Sequence, residues 1–330
     1  MFLDFKKLPV LAWIILVLFF GTGVLIGWQW RVFYNANQPS RLIEIRENDN
    51  KYRYINPLLL VDAPKEAPEY GTLKKNLTNT INQFLSQGAA SSISVYFRDV
   101  NSGKWTGIDE DDAYDPSSML KVAVMMGYLK AAEDNPSILL KKLAYVTHVD
   151  PGQNYKPEHP LASGVYTARQ LIEAMITDSD NDALNALYNN DRDDFVDVLK
   201  SLDIPPPATI NTLDFMSPKI YSSLFRTLYS STYLDREVSE QALQLLTYTT
   251  FDKGLVAGLP AGTIVAHKFG EHTNAVNNQV QSKQLHDCGI VYAPKNPYLL
   301  CVMTKGTDFD TLANIISTIS NITYKNITGK

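Results

Sequence analysis

The sequence predicts a mixed α/β fold of the α+β type. An antiparallel sheet is built from both chain ends and flanked by helices, and an all-helical subdomain is inserted between its two parts. Three observations predict it. Ser92–Phe97 alternates apolar and polar residues, and further strand-like runs return only near the C-terminus. Helical periodicity fills the stretch between them, and an amphipathic run closes the chain.

Taken in order, Leu73, Leu77, Ile81 and Leu85 recur at helical spacing and predict a helix over Gly71–Leu85. After the Ser92–Phe97 strand, Asn101-Ser102-Gly103 makes a turn, and Lys104–Ile108 returns as the hairpin partner. A helix opens near Pro116-Ser117 and carries Val122, Val124, Met125, Tyr128 and Leu129. Another starts at Thr167, where Gln170 completes a capping box. Ser217-Pro218 starts a third, with a capping serine and a proline in the first turn, and Glu237–Tyr248 reads as a fourth. Thr263–Lys268, Cys288–Tyr292 and Tyr298–Thr304 read as strands, and Asp308–Ile319 as the closing helix.

The 330 residues carry a net charge of −5 and no basic surplus, which argues against nucleic-acid binding. The five histidines show neither HxxxH nor HxH spacing, so no metal site is indicated and no cofactor is expected. Cys288 and Cys301 lie in apolar runs flanking a Pro294–Pro297 turn. A hairpin would bring them together, and two buried thiols are expected there rather than a disulfide.

From Leu8 to Trp28 the chain is uncharged and strongly apolar, about the 20 residues that cross a bilayer's hydrocarbon. Lys6 and Lys7 precede it, which predicts an anchor at 1–30 with a cytoplasmic N-terminus and a lipid bilayer as partner. A cleaved signal peptide is the alternative, but the run is long for one and lacks a small-x-small site close behind. Residues 31–70, punctuated by prolines, read as an extracytoplasmic stalk whose Tyr52–Leu60 stretch touches the domain. The domain itself is expected at 71–330.

Three motifs carry chemistry. In Ser118-Met119-Leu120-Lys121 the serine and lysine share a helix face, so an amine can meet a hydroxyl and take its proton if burial and neighbouring charge keep it neutral. Ser179-Asp180-Asn181 offers a second hydroxyl to relay a proton and an amide to hold a substrate amide. Lys268-Phe269-Gly270 closes a strand with a positive charge and a residue that permits close backbone approach. Each alone is commonplace: a helix cap, a polar turn, a strand end.

In this order and in these contexts the three resemble the SxxK, SDN and KxG set of class A β-lactamases and penicillin-binding D-Ala-D-Ala peptidases. The resemblance runs over residues 71–320. It implies Ser118 as the acylated nucleophile, Lys121 as its base, Ser179 as proton shuttle, Asn181 as amide binder and Lys268 as support for a substrate carboxylate. It also implies an oxyanion hole from the N–H groups of Ser118 and Glu271, close approach at Gly270, and Tyr155 flanking the substrate. The substrate would be a β-lactam or a cell-wall peptide.

Two departures matter. The glutamate that activates the deacylating water in class A β-lactamases has no counterpart, since no Glu occurs between Glu173 and Glu237; Asp203 and Asp214 are the substitutes to consider. The middle residue of the third motif is Phe269, where the family has Thr or Ser. His267, His272 and His286 lie near that edge and read as surface or strand-end residues. These departures leave open a slow β-lactamase-like hydrolase, a peptidase or esterase, and a catalytically idle tethered binding domain.

Overall fold

The structure, a computed structural model, describes residues 45–46, 52–60, 66–148, 152–191, 193–204, 214–277 and 279–329. All of them belong to the unit Leu42–Lys330. The expected anchor at 1–30 and much of the expected stalk lie outside the described residues. Among the described residues no helix is long and apolar enough to cross a membrane.

The chain begins its ordered core with α1 (Gly71–Ser86), whose Leu73, Leu77 and Ile81 are buried. Strands β1 (Ser92–Asp99) and β2 (Trp105–Ile108) form the first hairpin. After a 3₁₀ turn at Ser117–Leu120 comes α2 (Lys121–Asp134). A small hairpin of β3 (Lys142–Tyr145) and β4 (Gly164–Thr167) leads into α3 (Ala168–Thr177), α4 (Asn181–Asn190) and α5 (Asp193–Ser201). The helical part ends with α6 (Pro218–Ser230) and α7 (Arg236–Leu246). Then β5 (Val265–Val276), β6 (Gln279–Val291) and β7 (Tyr298–Gly306) are followed by α8 (Phe309–Thr328).

The main sheet has the order β2-β1-β7-β6-β5, and every pair is antiparallel. Both chain ends therefore build one sheet, as the sequence predicts. Successive side chains on a strand face opposite ways. Val95 and Phe97 of β1 pack with α1 and α8, while Tyr96 joins the larger core of the helical subdomain. The outer strand β5 thus stands where the two parts meet.

Local chemistry sets the element ends. At α3 the capping box forms, with Thr167 Oγ1 accepting the Gln170 N–H and Gln170 Oε1 accepting the Thr167 N–H. Ser217 Oγ accepts the Ile220 N–H at the start of α6. Helices α4 and α5 escape the sequence reading because Asn, Asp and polar residues dominate them; Asp180 nucleates α4 by accepting the Ala183 N–H at 2.8 Å. Strand β5 extends eight residues past the predicted Lys268, because β6 continues opposite it.

Two expectations are corrected. Cys288 and Cys301 form a disulfide, since they face each other directly in the β6–β7 register. His267 and His286 are buried, not surface residues: His267 pairs with buried Asp287 at 2.8 Å, and His286 sits beneath the start of the 3₁₀ turn. Part of the expected stalk is fastened to the domain. Glu240 accepts the N–H groups of Arg53, Tyr54 and Ile55, and the Tyr292 hydroxyl donates to the Tyr54 carbonyl.

Candidate active site

The 3₁₀ turn that carries Ser118 is clamped from several sides. Ser117 adopts a left-handed backbone (φ 46°), a conformation that costs a non-glycine residue on the order of 1–3 kcal/mol. Asp115 Oδ1 accepts its N–H at 2.8 Å, and its hydroxyl donates to the Glu271 carbonyl at 2.6 Å. The Tyr221 hydroxyl holds the Met119 carbonyl from below. Gly270 permits β5 to lie against this turn, because a Cβ there would come within 2.6 Å of the Pro116 oxygen.

Lys121 is completely buried, and its Nζ faces four oxygens. Ser179 O and Asn181 Oδ1 lie at 2.7 Å each, Ser118 Oγ at 2.9 Å and Ser179 Oγ at 3.1 Å. The first two are acceptors only, so they take two N–H bonds. The remaining position on the nitrogen faces two hydroxyls. In an ammonium it holds a third N–H; in an amine it is a lone pair able to accept the Ser118 proton. The geometry is one in which a neutral Lys121 could act as a general base.

Ser179, also left-handed (φ 56°), is gripped by Lys121 at its carbonyl. Its Oγ lies 2.9 Å from Lys268 Nζ, so Ser118, Lys121, Ser179 and Lys268 form one continuous chain of contacts. Lys268 is fully buried, and burial first, then the neighbouring Lys121 charge, holds its pKa well below the usual lysine value. The middle residue of the second motif is structural: Asp180 caps α4 and accepts the Tyr145 hydroxyl at 2.8 Å.

The Glu271 carbonyl is turned to Ser117, and in an extended strand a residue's N–H and C=O point to the same edge. Its N–H therefore faces the Ser118 turn, the orientation that an oxyanion hole with the Ser118 N–H requires.

The other predicted residues are placed differently. Phe269 stacks on Phe251 at 4.2 Å, and Lys268 Nζ lies over its ring, 4.3 Å from the centroid. Tyr155 packs in the same aromatic cluster, with its hydroxyl enclosed. Asp203 is exposed at the end of α5. Asp214 accepts Gln284 Nε2 at 2.8 Å and Lys305 Nζ at 3.0 Å. Burial works to raise its pKa, and these bonds more than offset that and hold it below the usual aspartate range. No hydrogen bond among the described residues joins either aspartate to the Ser118 group. Sequence reasoning missed Asp115 and the Glu271 and Asp178 carboxylates, which act on backbone N–H groups and leave no motif. No three His, Cys, Asp or Glu side chains gather as a metal site among the described residues.

Residues 75–327 match the family described as "Beta-lactamase enzyme family". Several solved structures are similar. A β-lactamase from Chitinophaga pinensis superposes with a TM-score of 0.65 at 17% identity, covering 76% of this chain and 99% of that one. A class A β-lactamase from Mycobacterium abscessus gives 0.63 at 19%, with coverages of 78% and 100%. A mutant of PBP-A, solved as an acyl-enzyme complex with penicillin G, gives 0.64 at 18%, with coverages of 81% and 100%. No curated protein matches the chain.

Proposed function

The chain belongs to the β-lactamase enzyme family, and from that premise we propose that it is a membrane-anchored serine hydrolase that is acylated quickly and deacylates slowly. Its acyl donors are β-lactams or related amides. The observation that carries this reading is the Lys121 nitrogen, with two N–H positions committed to carbonyl oxygens and the third turned to hydroxyls that include Ser118.

In the proposed step the Ser118 oxygen attacks the carbonyl carbon while Lys121 takes its proton. The N–H groups of Ser118 and Glu271 receive the oxyanion. The C–N bond then breaks, and the leaving nitrogen gains a proton through Ser179, which touches both lysines. Lys268, whose pKa burial and Lys121 hold down, would take up or keep a proton beside an anionic donor and so meet its charge. Asn181 turns Oδ1 to Lys121, which directs its Nδ2 end away from that amine.

Release of the acyl group needs a base beside a water. No glutamate occurs between Glu173 and Glu237, and Asp214 is bound to Gln284 and Lys305. General-base assistance is typically worth about 10²–10⁴ in rate, so its loss leaves a persistent ester. The same lack supports a second reading, a cell-wall peptidase or esterase that passes the acyl group to a better nucleophile than water. Placement outside the cytoplasm is supported by the uncharged Leu8–Trp28 run and by the Cys288–Cys301 disulfide, a bond that persists in oxidising compartments.

Mass analysis after incubation with penicillin G tests the proposal. The expected result is one adduct, carried by the peptide that contains Ser118, with a fast burst and slow steady-state hydrolysis. Asp203→Asn and Asp214→Asn leave that slow rate unchanged. Rapid multiple turnover, or an adduct on another serine, overturns it.

A further inference from the structure

Residues 152–160, between β3 and β4, form a strap tied at both ends by carboxylates. At one end Asp178 Oδ1 accepts the N–H groups of Glu158 and His159, each at 3.1 Å. At the other, Glu271 Oε1 accepts the N–H groups of Asn154 at 3.0 Å and Tyr155 at 2.9 Å. Asp178 directly precedes Ser179, and Glu271 directly follows Gly270. The ties therefore stand on opposite walls of the candidate site. Beside the second tie the Tyr155 ring is set among Phe251, Phe269 and Phe309, with centroids 4.9, 5.9 and 6.1 Å away.

The course of the strap follows from its contacts. Lys268 and Gly270 face the Ser118 turn, the Phe269 ring lies between Lys268 Nζ, 4.3 Å from its centroid, and the Tyr155 ring, and the Glu271 carboxylate reaches the strap's amides. Asp178 belongs to the helical side. To touch Asp178, Phe269 and Glu271, the strap runs past the outer side of β5, whose inner side is taken by β6. That outer edge is where an extended acyl donor adds to a sheet, through main-chain hydrogen bonds. A donor lying along that edge would meet the strap.

We propose that Glu271 and Asp178 are specificity-determining residues: by tying the strap along the outer edge of β5 they exclude donors that extend along the strand and admit compact ones. This rests on the serine-hydrolase reading. The acyl chemistry stays with Ser118, Lys121 and Ser179, and the two carboxylates act through the strap's backbone.

The test compares second-order acylation constants for penicillin G and for a fluorescent penicillin whose amide side chain is lengthened by three amino-acid residues. The proteins are the full chain, Glu271→Ala, Asp178→Ala and Tyr155→Ala. Hydrogen exchange at the amides of 154, 155, 158 and 159 is read in parallel. The expected result is a tenfold or greater rise in the extended-to-compact ratio in the variants, with exchange protection lost at the untied amides. A merely structural role lowers both constants together and leaves the ratio unmoved, and that outcome overturns the proposal even where one variant fails to fold. So do unprotected amides in the unaltered chain. No adduct on Ser118 with either probe in any protein fails the hydrolase reading itself, and the specificity role falls with it.

Discussion

The two walls of the site differ in how they are made. On the helical wall, Ser118, Lys121, Ser179 and Asn181 come from two short motifs, and buried contacts of 2.7–3.1 Å around one nitrogen bring them together. On the strand wall, Lys268 reaches the same cluster, but its neighbours have other work. Phe269 packs into an aromatic box, and the Glu271 carboxylate holds a loop. The wall proposed to acylate holds all its expected residues in contact, while the wall that would meet the substrate's anion and outer portions departs from the expected pattern. Chemistry and selectivity can therefore be altered separately in this chain.

The largest expected effect breaks the helical wall. Ser118→Ala removes the proposed nucleophile and is expected to abolish the penicillin adduct, with thermal unfolding unchanged because the hydroxyl sits on a turn held by Asp115 and Tyr221. Adduct formation by that variant would move the chemistry elsewhere. Next comes Lys121→Met, which keeps much of the buried bulk and removes the proposed base. Acylation falls by about 10²–10⁴, read as the second-order rate of labelling. A loss below tenfold would assign proton removal to another group.

A smaller effect separates the strand wall's support from its chemistry. Cys288 lies directly opposite Lys268 on β6 and is joined to Cys301 on β7. A cross-link closing a loop of this length contributes about 3 kcal/mol in the chain-entropy account. Cys288→Ala with Cys301→Ala is expected to lower unfolding stability by roughly that much in urea titration. Acylation by folded protein should persist. Loss of labelling without loss of stability would make the disulfide part of the site's alignment.

The contrast between the walls also explains what was legible in the sequence. Ser118 to Lys121 and Ser179 to Asn181 are local spacings, and the capping residues Thr167 and Ser217 act within three positions. Such signals survive in a string of letters. The Cys288–Cys301 bond depends on strand register, which an apolar run leaves undetermined to one residue. Tyr155 has the residue type of a site wall, yet Glu271 and Phe269, more than a hundred positions away, decide where it sits. The left-handed Ser117 carries no glycine or asparagine to announce it. Its conformation is imposed by Asp115 and the Glu271 carbonyl.

The smallest expected effect concerns a residue that couples the walls. His286, on β6, is fully buried; its Nε2 lies 3.0 Å from the Asp115 carbonyl and its Nδ1 accepts the Thr304 N–H at 3.2 Å. One ring nitrogen must donate and the other accept, so the bonds fit a neutral ring. A proton on Nδ1 would face an N–H donor. Burial foremost pushes the pKa from 6.5 down to about 3, although the Asp115 carbonyl and the Asp214 charge pull upward. Between those values the unfolded chain binds a proton that the folded chain refuses. The contribution is therefore fully present above about pH 6.5 and is lost as pH falls toward 3, at about 1.4 kcal/mol per pH unit. Between pH 7 and pH 5 the unaltered chain should lose about 2 kcal/mol more stability than His286→Gln in paired urea titrations, a comparison in which the carboxylates common to both cancel. Because the folded ring stays neutral down to about pH 3, its bond to the Asp115 carbonyl persists, and the labelling rate of folded protein should show no His286-dependent decline between pH 7 and pH 5. Parallel stability curves for the two proteins would show that His286 is not the group that titrates.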